Sequence, residues 1–263
     1  MPGNITVYLI SLDKIPSDFY SQSISQLLTL DEQYHLAKIK CKRRYREYLC
    51  GHILARVIIA HHQNTTWHSI ILQTDKQGKP YITTAGTRIF FNISHSEEWW
   101  TLALGEAGEI GVDIESPCNR SLVDEDVPPI AKRNFSAQEN RLLNSAPIEF
   151  RKKHFYRIWT IKEAILKAVG VGLTGPALKD IETGLGATKN THSLHTADGT
   201  ILLHSDYQYL DTADCHLAIA STLPLGDISI VVNPIDWLVS EFNHSTNNQT
   251  WKTSYESSSR TIN

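Results

Sequence analysis

Two stretches decide the reading: Gly111-Val112-Asp113-Ile114-Glu115 and Trp159-Thr160-Ile161-Lys162-Glu163-Ala164-Ile165-Leu166-Lys167. In the first, Ile110, Val112 and Ile114 alternate with Gly111, Asp113 and Glu115. A strand with that alternation turns its apolar side chains one way and both carboxylates the other. In the second, Trp159, Glu163 and Lys167 recur at i, i+4 and i+8, while Ile158, Ile161, Ile165 and Ala168 follow a separate stripe. One helix thereby shows an acid and a base on a face distinct from the one it buries. Three acids from two elements, with lysines beside them, suit a hard divalent cation that shares its coordination sphere with phosphate oxygens. Taken singly, each stretch has a plainer reading: a solvated strand face, and a surface Glu163 that pairs with Lys167 at i, i+4.

Working outward, the 263 residues make one large domain or two small ones, and 41% hydrophobic residues suffice for an ordinary core. A net charge of −3 and a pI near 6.4 argue against a chain whose main business is coating nucleic acid. Cys41, Cys50, Cys118 and Cys215 include no CxxC pair and none of the close spacing of a zinc site. They read as reduced and structural, which favours the cytoplasm. The start, Met1 to Ile10, lacks the basic flank and longer apolar core of a signal peptide, and no later run is long enough to span a membrane, so a soluble protein is expected.

In chain order, Thr6 to Ser11 reads as a buried strand and Ile15 to Leu30 has no clean period. From Asp31 to about His62, Leu36, Ile39, Tyr45, Leu49, Ile53 and Val57 fit one or two helices interleaved with lysines and arginines. This most basic tract is either a solvated face or an anion site; few acids neutralise the charges around Lys42 to Arg46. Ser69 to Gln73 reads as a strand, followed by the turn Asp75 to Pro80, a hairpin through Phe91, and the apolar strand Trp99 to Leu104. After Glu115, residues 116–129 read as a loop. Ser136 and Glu139 then form a capping box, and a long helix from Ile148 to Val169 stops at Gly170. Late strands are expected at 201–209, 215–221 and 228–232. Trp100 to Leu104 loosely echoes His216 to Ala220, which suggests an α+β fold made of two similar halves, 1–107 and 108–240. The Ser-, Thr- and Asn-rich end, 241–263, reads as a poorly ordered tail.

Read together, Gly78-Lys79-Pro80, Asn92-Ile93-Ser94-His95-Ser96, Gly111 to Glu115, Phe135 to Glu139 and Trp159 to Lys167 resemble, in order and spacing, the 4'-phosphopantetheinyl transferases of the surfactin-synthetase-activating (Sfp-like) type. The resemblance spans roughly residues 5–220. It implies a monomer of two similar α+β halves with coenzyme A bound between them. It also implies transfer of the phosphopantetheine arm of coenzyme A to a serine of an apo acyl or peptidyl carrier protein, with release of adenosine 3',5'-bisphosphate. Asp113, Glu115 and Glu163 would hold magnesium, with manganese as an alternative. Glu163, Lys167 and Glu139 are the catalytic candidates, although Glu139 serves equally well as a helix cap. Arg43, Arg46, Lys79, Ser94, His95 and Lys167 are the candidate coenzyme A contacts, with Lys42 behind the two arginines. Tyr48 lines the adenine pocket or belongs to the core. Glu32 and His35 stand where some relatives carry lysine, so the early tract is where the pattern departs. Two other readings compete: a magnesium-dependent phosphohydrolase, which leaves the GKP and NxSHS elements unexplained, and a non-catalytic carrier-binding module, which would lack one of the three acids. A Ser94–His95 hydrolase pair is disfavoured because neighbours on a strand point to opposite faces and no GxSxG elbow is present.

Overall fold

The computed structural model describes residues 2–20, 22–25, 27–75, 78–84, 87–105, 108–117, 127–171, 178–183, 188–196, 199–246 and 261–262. Among them, β1 (Gly3–Ser11) leads through 3-10 turns and the single turn α1 (Gln22–Ser25) to α2 (Leu30–Ala37) and α3 (Lys42–His62). Then come β2 (Gln73–Thr74), β3 (Pro80–Thr84), β4 (Thr87–Ser96), β5 (Trp99–Gly105) and β6 (Ile110–Glu115). Helices α4 (Val127–Asn134), α5 (Ala137–Ser145) and α6 (Ile148–Val169) follow, then β7 (Lys189–Thr196), β8 (Gly199–Leu210), β9 (Cys215–Ser221), β10 (Leu225–Val232), α7 (Ile235–Thr246) and β11 (Thr261–Ile262).

Two sheets result, one in the order β11-β10-β1-β5-β4-β3-β2 and the other β6-β9-β8-β7. Alternation along the strands stacks them. Ile5, Val7 and Leu9 of β1 meet Ile110, Val112 and Ile114 of β6 and Leu217 and Ile219 of β9 in a core between the sheets. The opposite face of β1, through Tyr8 and Ile10, meets Ile53, Val57 and Ile58 of α3 and Leu238 and Phe242 of α7. The opposite face of the second sheet meets Ile161, Ala164, Ile165 and Ala168 of α6. The outcome is four layers, helix, sheet, sheet, helix, with one long helix of 21 or 22 residues to each sheet. That is the α+β pairing of two similar halves expected from the echo of Trp100 to Leu104 in His216 to Ala220.

The halves are nonetheless threaded together. β10 returns to pair in parallel with β1, Ile228 opposite Ile5, and α7 packs on α3, so residues 108–240 are divided between the two layers. Helix α7 was not expected; it runs to Thr246 and buries Phe242, so the chain is still helical past 241, and the remainder of the expected tail, 247–260 and 263, lies outside the described residues. Ser69 ends a 3-10 turn rather than starting a strand, and β7 was missed because its residues are mostly polar. Helix α4 starts at Val127 with two prolines in its first turn, where a missing N–H costs nothing, so the expected loop ends earlier than Pro129; residues 118–126 lie outside the described ones, as do 172–177 of the glycine-rich exit.

Among the described glycines, Gly111, where β6 crosses α6, leaves the least room for a side chain. A Cβ on Gly111 would lie 2.1 Å from the Ala164 carbonyl oxygen and 2.4 Å from the Ala168 nitrogen. Both are helix backbone, so the clash cannot be relieved by a rotamer change. Gly111→Ala is expected to force the strand off the helix and to cost about 3 kcal/mol or more, read as a lowered urea midpoint; a loss below about 0.5 kcal/mol, the level of an ordinary surface change, would show that the two elements slide freely.

Candidate active site

The site is assembled along the seam between β4 and β6, which belong to different sheets. Asn92, Ser94 and Ser96 are spaced by two, so all three side chains face β6. Asn92 Oδ1 accepts from the Val112 N–H (3.0 Å), Ser94 Oγ donates to Asp113 Oδ1 (2.9 Å), and Ser96 Oγ donates to Glu115 Oε2 (3.0 Å) while accepting from the Ser116 N–H (3.1 Å). The NxSHS motif is therefore a side-chain ladder joining the sheets. Ile93 and His95, on the other face of β4, line the neighbouring cleft.

From α6, Lys167 Nζ reaches Asp113 Oδ1 at 2.6 Å and Ser94 Oγ at 2.8 Å. Asp113 is 4% exposed, and its Oδ2 is buried without a hydrogen-bond partner. Burial and then the Asp113 charge push Glu163 from about 4.5 up to about 7. Burial and Asp113 do the same to Glu115, also to about 7, against the pull of the Ser96 hydroxyl and Lys167. Three carboxylates thus share one ammonium, with one buried oxygen left over. This charge imbalance fits a divalent cation held by Asp113, Glu115 and Glu163 through oxygen ligands. Among the described residues no three acidic, histidine or cysteine groups already stand at ligand spacing; Lys167 and Ser94 occupy Asp113 Oδ1, and Ser96 occupies Glu115 Oε2.

Beside these acids opens a cleft of about 710 Å³, which Glu115 lines together with Arg43, Arg44, Tyr48, Gly78, Pro80 and His95. Arg43 is split between Glu47 (3.2 Å) and Glu97 (2.9 Å), and His95 Nε2 stands 3.6 Å from Glu47. Tyr48 faces the cleft, stacks with His35 (centroids 4.9 Å apart) and lies tilted against His52 (4.2 Å). His52 Nδ1 is bound to Glu32 (2.7 Å), which also holds the buried Arg56 (2.6 Å) and caps α2. Those partners overcome the burial of Glu32 and hold its carboxyl down at about 2. Glu32 thus serves the fold, leaving His35 and His52 in the cleft.

Three expected site residues are placed elsewhere. Arg46 points to the far side of α3, donating to the Leu12 carbonyl (2.6 Å) and Asp13 (3.1 Å) with Tyr20 beneath it. Arg44, which sequence reading passed over, takes the cleft position instead. The signal was available: Arg44, Tyr48 and His52 recur every four residues and share one helix face, from which Arg46 is rotated away. Lys79 turns inward from its cleft-lining neighbours Gly78 and Pro80 to Glu109 (2.9 Å), the Ile110 carbonyl (3.3 Å) and the Ala168 carbonyl (3.2 Å). It is a strut between the turn and the second sheet. Glu139 is fully buried, accepting from the Ser136 and Thr183 N–H groups and the Thr183 hydroxyl, with Lys162 Nζ at 2.7 Å. Lys162 also donates to the Leu178 and Ile181 carbonyls, both at 2.6 Å. Burial pushes the Lys162 ammonium down while Glu139 raises it again. With no solvent access, Glu139 is a cap and an ion-pair partner that locks the back of α6, and it does not meet the other acids. Trp159, which its spacing grouped with Glu163 and Lys167, is partly buried and stacks on Phe155 (5.9 Å) at the edge of the core.

Comparison with known proteins places the chain in a family. Residues 109–220 match the model of the 4'-phosphopantetheinyl transferase superfamily, and residues 15–107 match that of the 4'-phosphopantetheinyl transferase N-terminal region. The 4'-phosphopantetheinyl transferase HetI of Nostoc sp. is 30% identical over 205 residues, 77% of this chain and 83% of HetI. The 4'-phosphopantetheinyl transferase psf-1 of Bacillus pumilus is 35% identical over 129 residues, 49% of this chain and 52% of psf-1. The 4'-phosphopantetheinyl transferase gsp of Aneurinibacillus migulanus is 30% identical over 165 residues, 63% of this chain and 64% of gsp. The chain belongs to the 4'-phosphopantetheinyl transferase family.

Two expectations follow. Because Glu163 binds a proton more tightly folded (to about 7) than unfolded (about 4.5), its contribution to stability is complete below about pH 4.5 and is lost as pH rises through about 7. Urea midpoints of the ligand-free chain should therefore fall more between pH 5 and pH 8 than those of Glu163→Gln; equal slopes would remove the raised carboxyl. Lys162→Met leaves the buried Glu139 unpaired and should cost about 3–5 kcal/mol, much of it recovered in Lys162→Met/Glu139→Leu, as thermal unfolding of the two variants will show.

Proposed function

We propose that this enzyme transfers the 4'-phosphopantetheine arm of coenzyme A to a serine of an apo acyl or peptidyl carrier protein and releases adenosine 3',5'-bisphosphate. The observation that carries this reading is the single cleft that brings the basic face of α3, the GKP turn and His95 up against the acid cluster through Glu115. Its volume suits one nucleotide-sized ligand. Arg43, Arg44 and His95 are placed to hold phosphate groups of the donor, with His35, Tyr48 and His52 around its far end. Asp113, Glu115 and Glu163 would hold a divalent cation, magnesium or manganese, which supplies charge neutralisation on the pyrophosphate.

The chain's own chemistry then follows from the acids and the lysine. Glu163, with a carboxyl near neutrality, is suited to take the serine proton as the hydroxyl oxygen bonds to the phosphorus that carries the pantetheine. The bond from that phosphorus to the bridging oxygen breaks, and the leaving bisphosphate departs with the electron pair. Lys167, fixed by Ser94 and Asp113, sets a positive charge where negative charge develops. Ser94 and Ser96 orient the acids. The likeness to psf-1 and gsp supports the surfactin-synthetase-activating type within the family. With both halves in one chain the enzyme acts as a monomer, and its unpaired Cys41, Cys50 and Cys215 suit the cytoplasm. Among the described residues no helix is long and apolar enough to cross a membrane.

Incubation with coenzyme A and several apo carrier proteins, with and without magnesium, should give a carrier mass gain of one phosphopantetheine arm. Asp113→Ala and Glu163→Ala should each lower turnover at least about 100-fold while leaving the circular dichroism unchanged. Near-normal turnover in either variant would defeat the assignment of the acids, and release of inorganic phosphate without carrier modification would favour hydrolysis. Separately from activity, magnesium with coenzyme A should raise the melting temperature of the wild type and not of Asp113→Ala.

A further inference from the structure

Gly78 and Pro80 line the cleft, and the lysine between them turns away from it. The Lys79 ammonium donates to the Glu109 carboxylate (2.9 Å) and to two backbone carbonyls, those of Ile110 (3.3 Å) and Ala168 (3.2 Å). Glu109 and Ile110 stand at the start of β6, and Ala168 belongs to the last turn of α6. A helix leaves its last carbonyls without intrahelical partners and partly negative, so a cation is well placed there. The side chain is 11% exposed. Its Cδ lies 3.7 Å from where a Cβ on Gly170 would stand, and Gly170, with a left-handed φ of 77°, is the residue that ends α6.

The turn that carries Lys79 is stitched within itself. Asp75 Oδ1 accepts from the Lys79 N–H (2.8 Å), the Asp75 N–H donates to the Lys79 carbonyl (3.0 Å), and the Gly78 N–H donates to the Asp75 carbonyl (3.1 Å). Its flanking ladder is short. β2 and β3 pair through Gln73–Tyr81 and Thr74–Pro80 at the edge of the first sheet, and Pro80 brings no N–H to the ladder. A ribbon of that length is marginal by itself, yet Leu72, Thr74, Gly78 and Pro80 form one wall of the cleft. The ammonium ties this wall to both elements that carry the acids. Ile110 precedes Asp113 by three residues, Ala168 follows Lys167, and the close approach of Gly111 to α6 lies between them. One cation thus spans the turn, β6 and α6.

We infer that Lys79 is a positioning residue, with Glu109 as its partner: fastening the turn to the start of β6 and the end of α6, it fixes the spacing between the cleft wall and the acid cluster. Affinity for the donor then depends on a side chain that does not touch the donor. This rests on the transferase reading and adds to it how the two halves are held at the separation that one donor molecule requires. The sign of the Glu109 effect separates this role from direct contact. An ammonium that met a donor phosphate would be helped, or left as it is, by removing the neighbouring carboxylate, whereas a strut is weakened by losing its anchor.

The test compares Lys79→Met, Glu109→Gln and the double variant with the wild type. Calorimetric titration with adenosine 3',5'-bisphosphate reads binding apart from chemistry, and steady-state transfer gives the KM for coenzyme A and kcat. Lys79→Met should weaken bisphosphate binding and raise the KM for coenzyme A at least about 10-fold, the loss of a charge-assisted hydrogen bond, with kcat within about 3-fold of wild type. Glu109→Gln, at a partly exposed site, should act in the same direction by about 3-fold. The double variant should bind no more weakly than Lys79→Met, because the two residues act through one contact. Should Lys79→Met prove unfolded, the sign of Glu109→Gln still decides. Tighter or unchanged binding in Glu109→Gln overturns the strut. So does unchanged binding in both variants, even with lowered melting temperatures, since that marks a purely structural tie. A wild type that binds the bisphosphate, weakens as expected in the variants, yet modifies no apo carrier upholds the strut and overturns the transferase reading. A wild type that does not bind the bisphosphate overturns both.

Discussion

Everything at the active site depends on how closely β6 lies on α6. A sheet and a helix normally stand apart by the thickness of their side chains; at Gly111 that spacer is missing, and strand backbone rests on helix backbone. Ala218 and Ala220, on the neighbouring strand β9, extend the same thin strip. Two residues beyond the glycine the strand carries Asp113, and one helical turn beyond Ala164 minus a residue the helix carries Lys167, so a short ammonium-carboxylate contact becomes geometrically unavoidable. A wider interlayer gap would leave the acids of β6 and α6 too far apart to influence one another's protonation.

The second constraint is electrostatic. Burying Asp113, Glu115 and Glu163 together is unfavourable, and burial with the Asp113 charge raises the carboxyls of Glu115 and Glu163. The rest of the fold tolerates it by rigid support: the serine ladder from β4 on one side, and the buried Glu139–Lys162 pair behind α6 on the other. The two kinds of charge are kept apart. On the face of α6 toward β6 negative charge is in excess, whereas on its hidden face Lys162 is matched by Glu139.

Much of this was legible in the letters. The alternation at 110–115 correctly turned the carboxylates toward α6, and the period of α6 correctly separated Glu163 and Lys167 from the isoleucine stripe. The capping box at Ser136 is formed as written. What could not be read is where long polar side chains end. Lys79 lies between two residues that line the cleft, yet it turns inward because the carbonyl end of α6 and Glu109 present acceptors that only the tertiary fold brings there. Glu139 has one reading as a cap and another as an acid catalyst, and only its full enclosure with Lys162 chooses. Arg46 and Arg44 differ by two positions, which on a helix is more than half a turn, so charge content alone cannot separate them. Helix α7 escaped notice because its apolar positions become meaningful only against α3.

The pairing of β1 with β10 has a consequence for how the molecule comes into being. Asn4 receives the backbone N–H of Asp227, 223 residues further along the chain, so β1 waits for the later-made β10 before its exposed edge is covered. Contacts of such long range close slowly. Until then the front half carries an open, apolar strand border, a surface prone to wrong partners. Nascent chains truncated before β10 should thus be clients of chaperones, and the two halves, however alike, are not modules that recombination can exchange piecemeal.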